Sequence, residues 1–282
     1  MRKILVPTDF SDNAMNALQY ACELFKYEIS EFFIMHAYKD DIYADMELMK
    51  THTMDEVTKI VSDKSQSELE QILKQVKLQY PNPKHKYNIV SANNMLVDET
   101  DRIVDKEDID IIVMGTRGKT NDKNLTFGSY TLQVLKYVQC PVLAIPQDYK
   151  YDQPKHILFP TNFYIPYKRR ELKLLSYIAA PFRAPIDILL FSKTEKLSLR
   201  QEDNKGFLLD CLRSNTVNCV TKNAKNITKS IHSYIDENHI DFLVMVNTRH
   251  SFLENILFQP TIDKISLNIN IPFLALQNIR RY

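Results

Sequence analysis

The sequence predicts an α/β protein with two similar halves, each built on a mainly parallel sheet that helices cover on both faces. Three observations lead to this expectation. Short apolar runs alternate with amphipathic stretches in the first half, the second half repeats segments of the first, and three of only four glycines fall within fourteen residues. Strands that alternate with helices need crossover connections, which place the strands parallel.

Five short apolar runs predict the strands of the first half. They cover residues 3–7, 32–38, 85–90, 109–114 and 142–145. The first run stops at Pro7, Thr8 and Asp9, where a turn is expected because such residues commonly end buried strands. The alternation of these runs with helices predicts a sheet of five strands.

Amphipathic stretches between these runs predict four helices. They cover residues 14–25, about 54–79, 95–106 and 125–138. Ser11 or Asp12 can cap the first helix, and apolar residues at helical spacing mark the inner face of each. Residues 39–54 are polar and rich in Met, and we expect them to form a flexible cap on the core, with a lid over an apolar ligand as the alternative.

The second half of the chain repeats the first with a deletion. The segment KILVPTDF at 3–10 matches HILFPTNF at 156–163, an offset of 153, and IDIIVMGTRG from 109 matches IDFLVMVNTR from 240, an offset of 131. About 22 residues are therefore missing from the second copy, and the Met-rich stretch with part of the long helix is the expected loss. We expect two domains, residues 1–147 and 154–282, joined by a short polar linker that ends in proline.

The composition is that of a folded globular chain. Its 282 residues are 44% hydrophobic and 25% charged, and 36 basic residues balance 35 acidic ones for a formal net charge of +1. Such a balance creates no overall field to attract nucleic acid or an anionic membrane. The apolar runs are far shorter than the ~20 residues of a membrane-spanning helix, and the four cysteines fit no zinc pattern. A cytoplasmic protein with no nucleic-acid, membrane or metal site is the expectation, and its cysteines should be reduced thiols in the core.

The glycines mark one segment as special. Average usage of about 7% would give roughly 20 glycines in a chain of this length, whereas this chain has four. Gly115, Gly118 and Gly128 follow the fourth strand, where glycine can bend the chain or let a phosphate approach the backbone. Gly128 and Ser129 also open a helix, whose free amides and positive dipole end favour an anion. The segment predicts a polyphosphate site at the carboxyl ends of the strands, where open α/β sheets bind ligands.

Three motifs occur together in the first half. Gly115, Gly118, Gly128 and Ser129 form the pattern Gly-x2-Gly-x9-Gly-Ser, the first strand ends in Pro-x-Asp at 7–9, and Cys-Pro-Val at 140–142 introduces the last strand. In these motifs the chain resembles the ATP-binding branch of the universal stress protein family. The resemblance implies two tandem Rossmann-like domains of the adenine nucleotide alpha hydrolase-like type, each a five-stranded sheet of order 3-2-1-4-5. It also implies a stress-response protein that binds ATP and is not an enzyme.

The resemblance implies a set of ligand contacts by position. The adenine and ribose would meet Pro7, Thr8, Asp9, Ala37, Met114 and Gly115. The phosphates would be held by backbone amides of Arg117, Gly118, Gly128, Ser129 and Tyr130, with the Ser129 hydroxyl and the charge of Arg117. No side-chain pattern marks magnesium, so its presence beside the phosphates stays open, as does the choice between ATP, AMP and a cyclic nucleotide.

The second copy departs from the nucleotide-binding pattern. Asn162 replaces Asp9, and Val246, Arg249, Gln259 and Pro260 stand at the positions of the signature glycines and serine. Side chains would fill the phosphate space, and Pro260 has no amide hydrogen to donate. We expect one nucleotide per chain. Because single-domain members of the family commonly pair across their last strands, the second domain would act as a built-in partner through residues 142–145 and 273–276, with a homodimer of the whole chain left open.

Other interpretations stay open at this point. A slow ATPase or phosphotransferase would need a base or metal-binding carboxylate near the phosphates, for which Asp122 and Asp12 are the candidates. A nucleotide-free interaction module and a flavin or other electron carrier of related fold are further alternatives. His36 could face the ligand, although a hydrogen-bonded core histidine is the expectation. The sequence carries no spacing typical of a catalytic triad, so no catalytic residue is assigned.

Overall fold

The computed structural model describes residues 1–117, 127–192, 196–247 and 270–278. The chain divides into two compact units, the first ending at Tyr151 and the second beginning at Asp152. This boundary falls within the polar segment, residues 148–154, that the sequence predicts as a linker.

The first unit contains five parallel strands. They are β1 (Arg2–Pro7), β2 (Ser30–Ala37), β3 (His85–Ala92), β4 (Ile111–Gly115) and β5 (Val142–Ile145). Their order is β3-β2-β1-β4-β5, so β1 lies between β2 and β4. Strands β1, β2, β4 and β5 are almost entirely buried, as apolar strands covered on both faces should be. The predicted fold class and strand order are confirmed.

Six helices accompany this sheet in the described part of the first unit. They are α1 (Asp12–Leu24), α2 (Lys39–Ala44), α3 (Met46–Thr51), α4 (Met54–Gln79), α5 (Leu96–Glu107) and α6 (Ser129–Tyr137). The Ser11 side chain caps α1 by accepting a hydrogen bond from the Ala14 amide. Thr53 and Glu56 form a reciprocal capping box at the start of α4. The predicted helix over 125–138 is described from Ser129 onward.

The Met-rich stretch is more ordered than the sequence indicated. It forms α2 and α3 instead of a flexible cap, because Ile42 of α2 packs with Tyr38, Val57 and Val61 in a small apolar cluster under the two helices. Packing on the core was predicted and is confirmed. Two of its methionines, Met46 and Met49, are exposed.

The second unit has the same architecture. Its strands are β6 (Ile157–Thr161), β7 (Ile186–Phe191), β8 (Val217–Lys222), β9 (Phe242–Asn247) and β10 (Phe273–Gln277), and its described helices are α7 (Arg169–Ala179), α8 (Leu199–Cys211) and α9 (Ile227–Glu237), with a short 3-10 turn at Ala180–Phe182. The parallel strands lie in the order β8-β7-β6-β9-β10, which repeats 3-2-1-4-5. Each unit therefore has one switch point, beside its first strand.

The two units differ most in one connection. Between β2 and β3 lie 47 residues, and between β7 and β8 lie 25, a difference of 22. In the second unit the described part of this connection holds α8 alone, so α2, α3 and half of α4 have no counterpart there. The deletion is located where the offsets of the repeat predict it.

Two expectations from composition can be compared with the structure. Among the described helices, none combines the length and apolar character needed to cross a membrane. None of the four cysteines, all of which lie in the described part of the chain, forms a disulfide; Cys22 and Cys140 are buried as expected, whereas Cys219 is exposed. The expectation of core thiols is therefore correct for two cysteines and wrong for Cys219, which lies on β8.

Candidate functional site

A cleft of about 170 Å³ lies at the carboxyl ends of β1 and β4, beside the switch point. Ten of the eleven predicted ligand residues line it: Pro7, Thr8, Asp9, Ala37, Met114, Gly115, Arg117, Gly128, Ser129 and Tyr130. The eleventh, Gly118, lies outside the described residues. The structure thus gathers predicted residues from four separate segments into one place, which is where an open α/β sheet binds its ligand.

The turn after β1 fixes the position of the Asp9 carboxylate. Asp9 Oδ1 accepts hydrogen bonds from the Ser11 amide at 3.1 Å and the Ser11 hydroxyl at 2.6 Å. Thr8 Oγ1 accepts from the Phe10 amide at 3.0 Å, and Phe10 adopts a left-handed φ of 65°. A bulky residue in this conformation is strained, so the surrounding bonds must hold it. Asp9 is therefore a turn residue and a cleft residue at once.

At Gly115, the last residue of β4, the neighbouring side chain of Asn13 leaves no room for a Cβ atom. A Cβ at this position would lie 2.5 Å from Asn13 Nδ2 and 2.8 Å from Asn13 Cγ. Asn13 is buried, and its Nδ2 donates to the Arg117 carbonyl at 2.8 Å, which holds the chain after β4 in place. Gly115 has no positive φ, so backbone freedom does not explain this glycine. The packing of Asn13 is a reason for glycine that the sequence did not indicate, and it stands beside the expected close approach of a ligand, because Gly115 lines the cleft.

The N-terminus of α6 faces the cleft without a side-chain cap. Gly128 is the N-cap residue, with φ −66° and ψ 161°, and has no side chain to cover the first-turn amides. Its own amide donates to the Thr116 carbonyl at 2.7 Å, and the first turn of α6 contains no acidic residue. The amides of this turn and the positive end of the helix dipole are therefore available to an anion.

Helix α2 brings two carboxylates to the cleft that the sequence did not indicate. Asp40 Oδ2 accepts a hydrogen bond from the Tyr130 hydroxyl, and this bond raises the pKa of Tyr130 to about 12. Asp41 Oδ2 lies 3.4 Å from His36 Nε2. The sequence did hold one signal for these carboxylates. They follow the last residue of β2, Ala37, by three and four positions, and residues just after the carboxyl ends of strands form the ligand sites of such sheets.

His36 is a buried histidine that also lines the cleft. Its Nδ1 lies 2.9 Å from Ser65 Oγ, and the centroids of its ring and the Phe10 ring are 4.4 Å apart. The expected hydrogen-bonded core position is confirmed, and contact with a ligand stays a prediction that its place in the cleft lining allows. Asp41, His36 and Ser65 form a carboxylate, imidazole and hydroxyl series, but Ser65 lies on the buried face of α4 and is not among the residues that line the cleft. The series therefore presents no nucleophile to a ligand.

Three further side chains complete the described lining. They are Ala14, Leu96 and Thr131, each near the start of the helix that follows a strand. Thr131 Oγ1 donates to the Gly115 carbonyl at 3.0 Å, which ties α6 to the end of β4. Of the two candidate bases, Asp12 is exposed and does not line the cleft, and Asp122 lies outside the described residues. The described part of the chain contains no group of three potential metal ligands.

The second unit keeps the same turn after its first strand. Thr161 Oγ1 accepts from the Phe163 amide at 3.1 Å, and Asn162 Oδ1 accepts from the Tyr164 amide at 3.0 Å. Phe163 has a left-handed φ of 58°, close to that of Phe10 in the first unit. The backbone of the turn is thus preserved although Asn162 has replaced an aspartate.

The space beside this second turn is nearly closed. Its volume is about 10 Å³, and Tyr167 and Val246 are among the residues that line it. The Tyr167 hydroxyl is hydrogen-bonded to Thr161 Oγ1, its ring packs edge-on against Phe159 at 5.9 Å, and burial raises its pKa. The repeat offset of 153 places Tyr167 at the position of Ala14. Arg249, Gln259 and Pro260, expected to block a phosphate, lie outside the described residues.

Fold and site together define a doubly wound α/β protein with a ligand cleft at the switch point of its first unit. The family model described as "Universal stress protein family" matches residues 1–146. The chain belongs to the universal stress protein family, as the resemblance in its motifs predicts.

Relatives of known name agree with this assignment. Universal stress protein MJ0577 of Methanocaldococcus jannaschii is 28% identical over 152 residues, which are 51% of this chain and 94% of that protein. Universal stress protein MJ0531 of the same organism is 27% identical over 149 residues, 53% of this chain and 84% of that protein. The crystal structure of a universal stress protein from Archaeoglobus fulgidus is similar in fold over 98% of this chain and 96% of that one, with a TM-score of 0.67 and 16% identity.

Proposed function

We propose that the first unit binds an adenine nucleotide, ATP, and that the protein acts in the stress response through a nucleotide-dependent change in shape or partner. One observation carries this proposal. The N-terminus of α6, which has no capping side chain, and the carboxylate of Asp9, which is held by Ser11, face one cleft at the switch point. The first suits phosphates and the second suits hydroxyl donors such as those of a ribose.

The phosphate end of the cleft has the donors that a polyphosphate needs. The amides of Gly128, Ser129 and Tyr130 with the Ser129 hydroxyl would hold the phosphates, and Arg117 would add positive charge. Asp40 adds a negative charge at the same end, because it accepts the hydrogen bond of Tyr130. A phosphate would have to compete with this carboxylate or be accompanied by a cation, so magnesium is compatible with the site.

The opposite end has the mixed lining that a nucleoside needs. Pro7, Ala37 and Met114 provide apolar contacts for adenine, while Asp9 can accept from ribose hydroxyls. Asn13 packs against Gly115 and donates to the Arg117 carbonyl, and both contacts hold the cleft wall in this shape. These features favour a nucleotide over an inorganic anion, which would leave the apolar end without a partner.

Binding without rapid turnover is the form of activity that we propose. Among the described residues that line the cleft, hydroxyls belong to Thr8, Ser129, Tyr130 and Thr131. His36, the histidine beside them, is hydrogen-bonded through Nδ1 to the buried Ser65 and not to any of these hydroxyls. A regulatory protein needs the ligand to persist, and this arrangement serves retention.

The second unit would be a partner domain with no nucleotide of its own. We propose one nucleotide per chain, with the second unit pairing to the first through the last strands, β5 and β10. A homodimer, in which two whole chains associate, is a further form of assembly compatible with this proposal. We place the protein in the cytoplasm, because the exposed free thiol of Cys219 suits a reducing compartment.

Calorimetric titration with ATP tests the proposal. In Gly128→Val the new side chain would lie over the α6 amides, and we expect binding at least about tenfold weaker, which corresponds to about 1.4 kcal/mol. Gly206→Ala is the matched control, because Gly206 lies on α8 with open space around its Cβ position. Unaltered ATP affinity in Gly128→Val, or no binding to the unsubstituted chain, would contradict the proposal.

A further inference from the structure

A second concave surface adjoins the nucleotide cleft. It is a groove of about 470 Å³ between α5 and α6, and we name it the α5–α6 groove. Its described lining is Met95, Leu96, Val97, Asp98, Asp101, Tyr130, Gln133 and Tyr137. The groove is thus apolar and aromatic on its walls, with carboxylates as its charged groups among the described residues.

The two helices present different stripes to this groove. On α6, Tyr130, Gln133 and Tyr137 recur at the spacing of one helix face, and the two tyrosines are 44% and 59% exposed. On α5, Asp98 and Asp101 have the same spacing and are exposed. Exposed tyrosines are enriched where proteins bind each other, so this pairing of stripes points to a partner protein.

The acidic stripe is not a requirement of the fold. In the second unit the corresponding helix, α9, begins without an acidic residue in its first turn and is capped by Asn226. The repeat offset of 131 places Lys229 at the position of Asp98 and His232 at that of Asp101. The carboxylates therefore accompany the unit that has the cleft, which a role in helix capping alone does not explain.

The charge and chemistry of the groove define its partner. Carboxylates beside tyrosine rings attract Lys and Arg side chains, through ion pairs and through the ring faces. The Tyr137 ring already has such a neighbour within the chain, because Lys136 Nζ lies 5.2 Å from its centroid. The length of the two stripes suits a short amphipathic segment with basic and apolar residues at helical spacing.

Two residues belong to both the groove and the cleft. Leu96 and Tyr130 line each of them, and the Tyr130 hydroxyl is hydrogen-bonded to Asp40 on the cleft side. A phosphate at the start of α6 would compete with Asp40 for this region and would change the position or mobility of the Tyr130 ring in the groove. Where binding at one site alters a shared side chain in this way, the two ligands change each other's affinity by the same factor.

We infer that the α5–α6 groove is a docking surface for a basic, amphipathic segment of a partner protein, and that nucleotide in the cleft alters this docking through Tyr130 and Leu96. The coupling rests on the proposed nucleotide function. The docking itself does not, because the groove is formed by the chain without a ligand.

Fluorescence anisotropy with the nucleotide-free full chain tests the docking. The probe is a labelled peptide of roughly 16 residues, or four to five helical turns, with Lys and Leu at amphipathic spacing. Its counterpart has Glu in place of every Lys. We expect the Lys peptide to bind and the Glu peptide to bind at least about tenfold more weakly, with an affinity for the Lys peptide that falls as salt rises.

Two substitutions locate the peptide on the molecule. Asp98→Lys should lower the affinity for the Lys peptide about tenfold or more. Lys229→Asp, at the matched position of the second unit, should leave this affinity unchanged. Both residues are exposed, and circular dichroism checks that each variant is folded. Equal binding of the two peptides, or an Asp98→Lys variant that binds normally, would overturn the docking surface.

Repeating the titration with ATP tests the coupling. The peptide affinity should change severalfold when ATP is added, and this change should disappear in Tyr130→Phe, which lacks the hydrogen bond to Asp40. Calorimetry on the same sample reports whether ATP is bound. If ATP binds and the peptide affinity is unchanged, the coupling is wrong; if ATP fails to bind, the proposed function is wrong while the peptide result still decides the docking.

Discussion

The turn after β1 in the first unit and the turn after β6 in the second have similar backbones but adjoin spaces of very different size. The first has a cleft of about 170 Å³ and the second a space of about 10 Å³. Both keep the threonine-anchored turn and a left-handed phenylalanine. The difference lies in side chains, with Tyr167 at the position of Ala14 and Val246 at that of Gly115. A duplicated fold can therefore keep the frame of a site while its own residues fill the space.

The largest effect is expected on the stability of the second unit when the ring that fills its space, Tyr167, is removed. Tyr167→Ala removes a buried ring and its hydrogen bond to Thr161, so we expect the second unit to lose about 3–5 kcal/mol of unfolding free energy. Chemical denaturation measures this loss. Tyr167→Phe is the control, since it keeps the ring and should cost about 1 kcal/mol.

Emptying this space should still not create a second nucleotide site, because Asn162 and Val246 remain. ATP binding with two nucleotides per chain in Tyr167→Ala would show that Tyr167 alone keeps the second unit closed. A loss of stability below about 1 kcal/mol would show that the ring does not fill the site as the structure indicates.

Placing a tyrosine at the matching position of the first unit should fill its cleft. Ala14→Tyr places a ring at the wall of the cleft, and we expect ATP binding to weaken about 100-fold or more, which is about 2.7 kcal/mol. Calorimetry measures the affinity, and thermal unfolding checks that α1 still folds. A folded variant that binds ATP normally would contradict the equivalence of positions 14 and 167.

The packing of Gly115 against Asn13 gives a smaller, separable effect. Gly115→Ala should destabilise the first unit by about 1–3 kcal/mol, because its Cβ would overlap the Asn13 side chain. In the double variant with Asn13→Ala the two losses should not add, since the clash is gone. Simple additivity in urea denaturation would show that overlap with Asn13 is not the cause of the loss in Gly115→Ala.

The smallest effect concerns the response of the second unit to acid, through Asp187. Burial would raise the pKa of Asp187 on β7, but hydrogen bonds from Asn218 and Tyr234, both at 2.8 Å, and the nearby His156 hold it below its ordinary value of 3.8. A carboxyl whose pKa is lower in the folded state stabilises the fold above its unfolded pKa, and this contribution is lost as the pH falls below about 4.

We therefore expect β7 and β8 to lose protection from hydrogen exchange as the pH falls from 5 towards 3, after correction for the pH dependence of the exchange rate itself. Asp187→Asn should remove this acid dependence while lowering stability at neutral pH. Equal acid dependence in the variant would show that other groups are responsible.

Much of the fold could be predicted because local patterns determine it. Apolar runs gave the strands of the first unit to within a few residues, and the offsets of the repeat located the deletion between β7 and β8. Ten predicted ligand residues lie together because they follow the ends of parallel strands, where chain position implies spatial position.

The missed features depend on contacts between distant residues. Asn13 and Gly115 are separated by 102 positions, so no local pattern reveals that one excludes a side chain at the other. No motif in the sequence marks Asp40, and its hydrogen bond joins it to Tyr130, 90 residues away. Tyr167 was visible opposite Ala14 in the repeat, but whether a ring points into a space depends on packing, which periodicity does not describe.

The number of nucleotides bound per chain tests the central difference between the two units most directly. Freshly purified protein is saturated with ATP, freed of excess ligand and denatured, and the released nucleotide is measured by mass spectrometry against protein concentration. We predict one adenine nucleotide per chain, and none above background in Gly128→Val. Two per chain would contradict a closed second unit, and none in the unsubstituted protein would contradict an open first one.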